Sequence, residues 1–266
     1  MSTAEDLFRA GKLAACLTEL QNAVRRSPAD AKLRIFLAQL LMTTGDWERA
    51  LNQLSVIGEL DAAALPMKHT YTAAIQCERV RAGVFRAERS PLIFGEPPQW
   101  IAPVLQSLSL QAQGRGAEAV EMRQRGLEQA PATAGTLDGK PFEWIADADS
   151  RLGPILEILL NGAYYWVPFE RIQRIVFEKP ADARDLIWLP AQFTWSNGGE
   201  AMGLVPVRYP GSELDADDAV RLSRKTQWNE LTTDAYAGMG QRILVTDADE
   251  VGILEVREIT LESSGG

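Results

Sequence analysis

Residues 138–169 read DGKPFEWIADADSRLGPILEILLNGAYYWVPF, and the chain on one side of them differs in kind from the chain on the other. The stretch opens on a turn pair, Asp138-Gly139, and a stiffening Pro141. Phe142 and Trp144 then fall on the same side of an extended segment, because side chains alternate along a strand. An acidic knot follows, Asp147-Ala148-Asp149, with Arg151 behind it. The apolar run 155–160 ends in Asn161-Gly162 and is followed by residues 163–167. Asn-Gly between two β-prone runs predicts a hairpin, since both central residues of a type I′ turn need φ > 0. Pro168 stops the second strand, having no N–H for the ladder. Upstream the apolar spacing is helical; downstream it is mostly strand-like.

The chain has 266 residues, 46% apolar and 24% charged, which suits a soluble globular protein of one large or two small domains. Its net charge of −9 is uneven: residues 1–136 hold 15 Lys+Arg against 14 Asp+Glu, and residues 137–266 hold 12 against 22. Of the aromatic residues, 7 precede that boundary and 13 follow it. Two compositions predict two domains, a helical 1–136 and a β-rich 137–266. An acidic second half argues against nucleic acid, whose phosphates repel it. Cys16 and Cys77 have neither disulfide-framework nor metal spacing, and read as buried free thiols in a reducing compartment. The beginning, MSTAEDLFRAG, shows no secretory pattern, and the longest apolar-rich run, 33–42, cannot span a bilayer.

The first half repeats. Gly11, Gly45 and Gly114 each precede a helical run; the first two are 34 residues apart, and the third follows after about two more such periods. Five residues after each glycine comes a small residue (Cys16, Ala50, Ala119), and the next is aliphatic (Leu17, Leu51, Val120). This spacing predicts tetratricopeptide-like helix pairs. The array is irregular: a longer helix over 66–89 and a loop over 90–98 intervene, and Gly116, Arg123 and Gly126 stand where aliphatic or aromatic residues are expected. Such arrays present a concave face suited to a peptide or helix. By register, Lys32, Ile35, Gln39 and Met42 point inward, as do Ile101, Val104 and Leu108, and these are the partner-binding candidates. Arg79, Arg81, Arg86 and Arg89 form a cationic segment, either a solvated face offset by Glu78 and Glu88 or a dock for the acidic half. With only about six residues joining the halves, that segment is expected to dock on the acidic half.

In the second half, residues 169–175 predict a helical turn, 186–189 a strand with Pro190 at an edge or strand end, and 193–207 a hairpin about Asn197-Gly198. Residues 215–222 predict a helical turn, and 243–245 and 253–259 the last strands. The expected fold class is α+β: helical repeats, then a small barrel- or sandwich-like domain of six or so strands.

Chemistry is sparse. His69 is the lone histidine, inside a helical pattern, and no phosphate or dinucleotide motif is present. Asp147-Ala148-Asp149 and Asp247-Ala248-Asp249-Glu250 are the only tempting cation ligands. The first runs on into Ser150-Arg151 where a calcium loop needs oxygen and glycine, so Arg151 pairing with these carboxylates is expected and no metal or cofactor. Trp144, Trp166, Trp188, Trp195 and Trp228 staple a small core or form an aromatic docking patch.

The quoted stretch through Pro154, with NGAYYWVPFERI, RDLIW before Pro190-Ala191, NGG, PVRYPGSE, RKTQW and GQRILVTD, resembles the ImpE family, also called TagJ or SciE-type proteins. The resemblance spans residues 137–259 closely. It marks Phe142, Trp144, Asp147, Asp149, Arg151, Trp166, Trp188, Arg208, Tyr209 and Trp228 as family-motif residues of unassigned role. It implies a non-enzymatic cytoplasmic adaptor of bacterial type VI secretion, one that binds the N-terminal helix of the sheath subunit TssB and connects it to the ClpV ATPase. It implies no nucleic-acid and no membrane partner. Against it stand a metal-dependent or carboxylate-based enzyme in the β-rich half, and a chaperone-like repeat module with another client.

Overall fold

A computed structural model describes residues 3–232 and 234–262. Helices α1 (Thr3–Arg9) and α2 (Leu13–Arg26) form one pair, and α3 (Ala31–Thr43) and α4 (Trp47–Leu60) a second. The long α5 (Leu65–Phe85) follows, then a third pair, α6 (Ile101–Ala112) and α7 (Gly116–Gln129). Gly11, Gly45 and Gly114 close the three turns with φ of 70°, 72° and 73°, a left-handed geometry that a side chain would strain. The small residues five positions on, Cys16, Ala50 and Ala119, are all buried, as close helix crossings require. Asp30 caps α3 by accepting from the N–H groups of Lys32 and Leu33, and Pro66 occupies the first turn of α5.

Strand β1 (Leu92–Ile93) lies between α5 and α6. After α7 come β2 (Gly135–Leu137), β3 (Lys140–Phe142), β4 (Ile145–Asp147), β5 (Ile155–Leu160), β6 (Ala163–Pro168) and β7 (Ile172–Phe177). Then follow β8 (Trp188–Trp195), β9 (Glu200–Pro206), the short helix α8 (Asp218–Arg221), β10 (Thr226–Thr232) and β11 (Ala235–Gly240). The last are β12 (Ile243–Thr246), β13 (Glu250–Gly252) and β14 (Glu258–Leu261). Nine strands make one mixed sheet in the order β1-β6-β5-β9-β8-β7-β14-β2-β3; β13-β12-β4 form a second sheet and β10-β11 a separate hairpin. The class is α+β, with more strands than the turn signals suggested.

The Asn161-Gly162 hairpin forms as expected: φ is 51° and 77°, and Leu160 pairs with Ala163. Strand β5 is buried along its whole length, and its alternate side chains enter two cores. Ile155 and Leu159 join the helices, together with Tyr164, Trp166 and Trp188. Leu156, Ile158 and Leu160 join a core enclosed by the sheets, with Val167, Phe193 and Ile259. Helices and sheet thus share a core, and β1, from the helical part, pairs in parallel with β6.

Four local expectations are corrected. The helical turn expected over 169–175 is a 3-10 turn of Phe169–Arg171 alone, and the chain is already in β7 from Ile172. Residues 183–186 form a 3-10 turn, so the strand begins only at Trp188. Pro190 lies inside β8, flanked by β7 and β9, at the point where β7 has ended; its carbonyl still accepts from the Glu178 N–H at 2.9 Å. Residues 253–257 turn after Gly252, whose carbonyl takes the Glu255 N–H, and β14 starts at Glu258.

Candidate functional site

The inner face of the helical array is already filled. Gln39, Met42, Ile101, Val104 and Leu108, expected to line an open groove, are buried within the chain; Ile35 is half-buried and Lys32 exposed. Residues of the β-rich part pack on α1, α2, α3 and α5. Arg208 Nη1 donates to the carbonyls of Thr43 at 2.6 Å and Arg221 at 2.7 Å. Arg184 lies 5.0 Å over the Tyr71 ring, and Arg224 donates to the Arg9 carbonyl at 2.8 Å. Asp218 Oδ2 accepts the Leu13 N–H at the start of α2, at 3.0 Å. Gly126 replaces an expected larger residue because a Cβ there would come within 2.6 Å of Val104 and 2.9 Å of the Trp100 carbonyl.

The acidic knot lies within a buried ionic network. Asp149 accepts from Arg151 Nε at 2.8 Å and Nη2 at 2.5 Å, as expected, and also from the Gly238 N–H at 2.9 Å. Asp147 is held instead by Arg242, by the Tyr209 hydroxyl at 2.9 Å and by the Asp149 N–H at 2.8 Å. Arg242 also donates to Glu157, which receives Arg81 Nε at 2.7 Å, Arg81 Nη2 at 2.8 Å and the Tyr164 hydroxyl. Trp166 donates to the Tyr164 oxygen at 2.6 Å, and Trp188 to Glu78 at 2.8 Å. Two of the motif tryptophans are therefore both core and polar support. Burial pushes the Asp147 carboxyl up to about 6 against the pull of Arg242. Burial also raises Glu157, but Arg81 and Arg242 outweigh it and hold it at about 2.

The docking helix is therefore α5, but its working residue is Arg81. Arg79 pairs with Glu48 and Arg86 with Glu88, both at the surface. Glu157 and Arg242 escaped the sequence reading, although a lone glutamate inside ILEILL signals a buried cation nearby. Among the described residues no group of three or more His, Cys, Asp and Glu is placed to hold a metal. His69 is exposed, and burial pushes both cysteine thiols up to about 11.

An open cleft of about 1530 Å³ lies between α7, the 144–154 segment and the β10–β11 hairpin, and a smaller hollow of about 520 Å³ lies between the end of α5 and α6, beside Leu108. Ala117, Val120 and Leu127 of α7 line the cleft, as do Ile145, Ala146, Ala148 and Pro154, with Leu127 close against Gly153. Trp144, Trp228 and Tyr236 line it as well, with 39%, 41% and 42% of their surface exposed. Trp228 and Tyr236 stand on the same face of the hairpin: Trp228 pairs with Gly238, and Tyr236 with Glu230. Tyr209 packs beneath Trp228 with ring centroids 5.6 Å apart. Phe142, by contrast, is buried in the sheet core. The tryptophans thus divide: Trp166, Trp188 and Trp195 are buried, while Trp144 and Trp228 form an exposed aromatic cleft. Exposed carboxylates Glu128, Asp234 and Glu250 rim it, with Arg123 the single cation among its described lining residues. The Thr232 hydroxyl in its wall is buried without a hydrogen-bond partner among the described residues.

Comparison with known proteins accords with this arrangement. Residues 7–66 match the tetratricopeptide repeat, and residues 139–260 match the family described as ImpE protein. The type VI secretion system accessory component TagJ of Pseudomonas aeruginosa is 49% identical over 97% of this chain and 91% of its own length. The crystal structure of a Vibrio parahaemolyticus protein shares the fold at a TM-score of 0.89 and 23% identity, covering 98% of both chains. The matched motifs run through the strands that build the ionic network and the cleft, and the chain belongs to the ImpE family.

Proposed function

We propose that this protein is a non-enzymatic accessory component of type VI secretion, an adaptor that binds the N-terminal helix of the sheath subunit TssB and connects the sheath to the ClpV ATPase. The near full-length identity to the Pseudomonas aeruginosa accessory component carries the reading. The geometry is in keeping with it. The carboxylates that could serve a hydrolase, Asp147, Asp149 and Glu157, are each engaged by arginine inside the protein. One open feature is an aromatic cleft of the kind that recognises polypeptide, since exposed tryptophan is concentrated at binding hot spots. No described helix is long and apolar enough to cross a membrane.

The test is direct binding. Titration calorimetry of the full chain with a peptide of the TssB N-terminal helix gives saturable 1:1 binding, and the chain retains ClpV only when sheath peptide or its own surface bridges them in a pull-down. No heat with the peptide and no retention of ClpV would reject the adaptor reading.

A further inference from the structure

We propose that the cleft between α7 and the β10–β11 hairpin docks an amphipathic α-helix of a partner, one whose apolar face is flanked by lysine or arginine. The inference deepens the adaptor reading and rests on it for the partner's context.

A helix fits because of where α7 stands. It is the last helix of the array, and Ala117, Val120, Gln124 and Leu127 recur along it at three- and four-residue spacing. Its other face, carrying Gly126, packs against Val104 of α6. In an array of helix pairs, the free stripe is the surface that the next helix covers. Here the chain turns instead into β2 and β3; Leu127 rests against Gly153, and Trp144, Trp228 and Tyr236 line the same cleft as Ala117, Val120 and Gln124. A guest helix laid there continues the array with a helix from another chain, the helix-in-groove mode. The volume, about 1530 Å³, exceeds the ~300–1,000 Å³ usual for small-molecule pockets.

The charge sets the flanks. Three exposed carboxylates, Glu128, Asp234 and Glu250, rim the cleft against Arg123, which is half-buried and lies within the field of Asp234. Cationic side chains beside the guest's apolar face meet these carboxylates.

Two synthetic helices with one leucine face, one flanked by lysine and the other by glutamate, are titrated into the full chain, alongside the TssB peptide. The lysine-flanked helix binds at least about tenfold tighter than its counterpart. Replacing Trp144→Ala together with Trp228→Ala weakens it by about tenfold or more. Glu128→Lys with Glu250→Lys, surface changes that leave the core untouched, reverses the preference. Circular dichroism melts establish that each variant is folded. Equal binding of the lysine-flanked helix to wild type and to both folded variants overturns the inference. If the TssB peptide binds and ignores the cleft changes, the cleft fails and the adaptor reading stands. If only the lysine-flanked helix binds, through the cleft, the reading loses its partner and the cleft stands.

Discussion

Replacing Glu157→Gln probes the point at which helices and sheet are joined. Arg81 Nε and Nη2, at 2.7 and 2.8 Å, converge with Arg242 and the Tyr164 hydroxyl on two carboxylate oxygens that are fully buried. Glutamine keeps one acceptor, turns the other into a donor facing guanidinium, and leaves two buried cations short of a counter-charge. Removing one partner of a buried pair costs ~3–5 kcal/mol. The titration of Glu157 leads to a similar figure. Its carboxyl is held at about 2 against an ordinary 4.5, a gap worth on the order of 3 kcal/mol at neutral pH. Because the folded pKa is depressed, that contribution is complete above 4.5 and is lost as pH falls toward 2. A chain of this size loses ~2–4 °C of Tm per kcal/mol, so the variant should melt roughly 6–20 °C lower at pH 7. Differential scanning calorimetry from pH 7 down to pH 3 should show the gap between wild type and variant narrowing. A drop under about 3 °C at neutral pH, or a gap indifferent to pH, would refute the reasoning.

Three further outcomes follow from the same structure. Asp147 has its folded pKa raised from 3.8 to about 6, so wild type measured against Asp147→Asn should lose stability as pH rises through that interval, read by urea unfolding at pH 4 and pH 7; a flat difference refutes it. Arg81→Met should cost ~3–5 kcal/mol and open residues 132–137 to protease, whereas Arg79→Ala, whose partner Glu48 is exposed, should cost at most ~1 kcal/mol and open nothing. Gly126→Ala drives a Cβ to 2.9 Å from the rigid Trp100 carbonyl, and the overpacking, ~1–3 kcal/mol, should outweigh the better helix propensity of alanine in thermal melts.

Local signals were the legible ones. Asn161-Gly162 specified its hairpin through the dihedrals it demands, and three glycines marked the helix turns through the same left-handed φ. The change from helical to strand spacing near residue 136 falls beside β2, at Gly135–Leu137. What escaped depends on distant parts of the chain. Periodicity identified Met42 and Val104 as inward-facing but carried no word of what covers them: Arg208, from far downstream, donates to the Met42 and Thr43 carbonyls, and Gly126 of α7 lies at Val104. The partner of Asp147 is Arg242, 95 residues away, whereas the nearby Arg151 pairs with Asp149. Strand β1 has two residues and no pattern of its own; β6 defines it. The aromatic cleft was half visible, as a choice between staple and patch, because alternation along a strand cannot tell which face lacks a cover.

The pairing of Arg81 with Glu157 also bears on how the chain is made. The two residues are 76 apart in sequence, so at the usual ~5–20 residues per second the arginine leaves the ribosome about 4–15 s before its carboxylate does. During that interval α5 carries an unanswered cation on the face that will become core, and β1 has no strand to lie beside. The helical array therefore cannot finish as a vectorial, self-contained step. Its closure waits for the β5–β6 hairpin, and a nascent chain halted near residue 136 exposes to chaperones the surface by which it later holds its sheet.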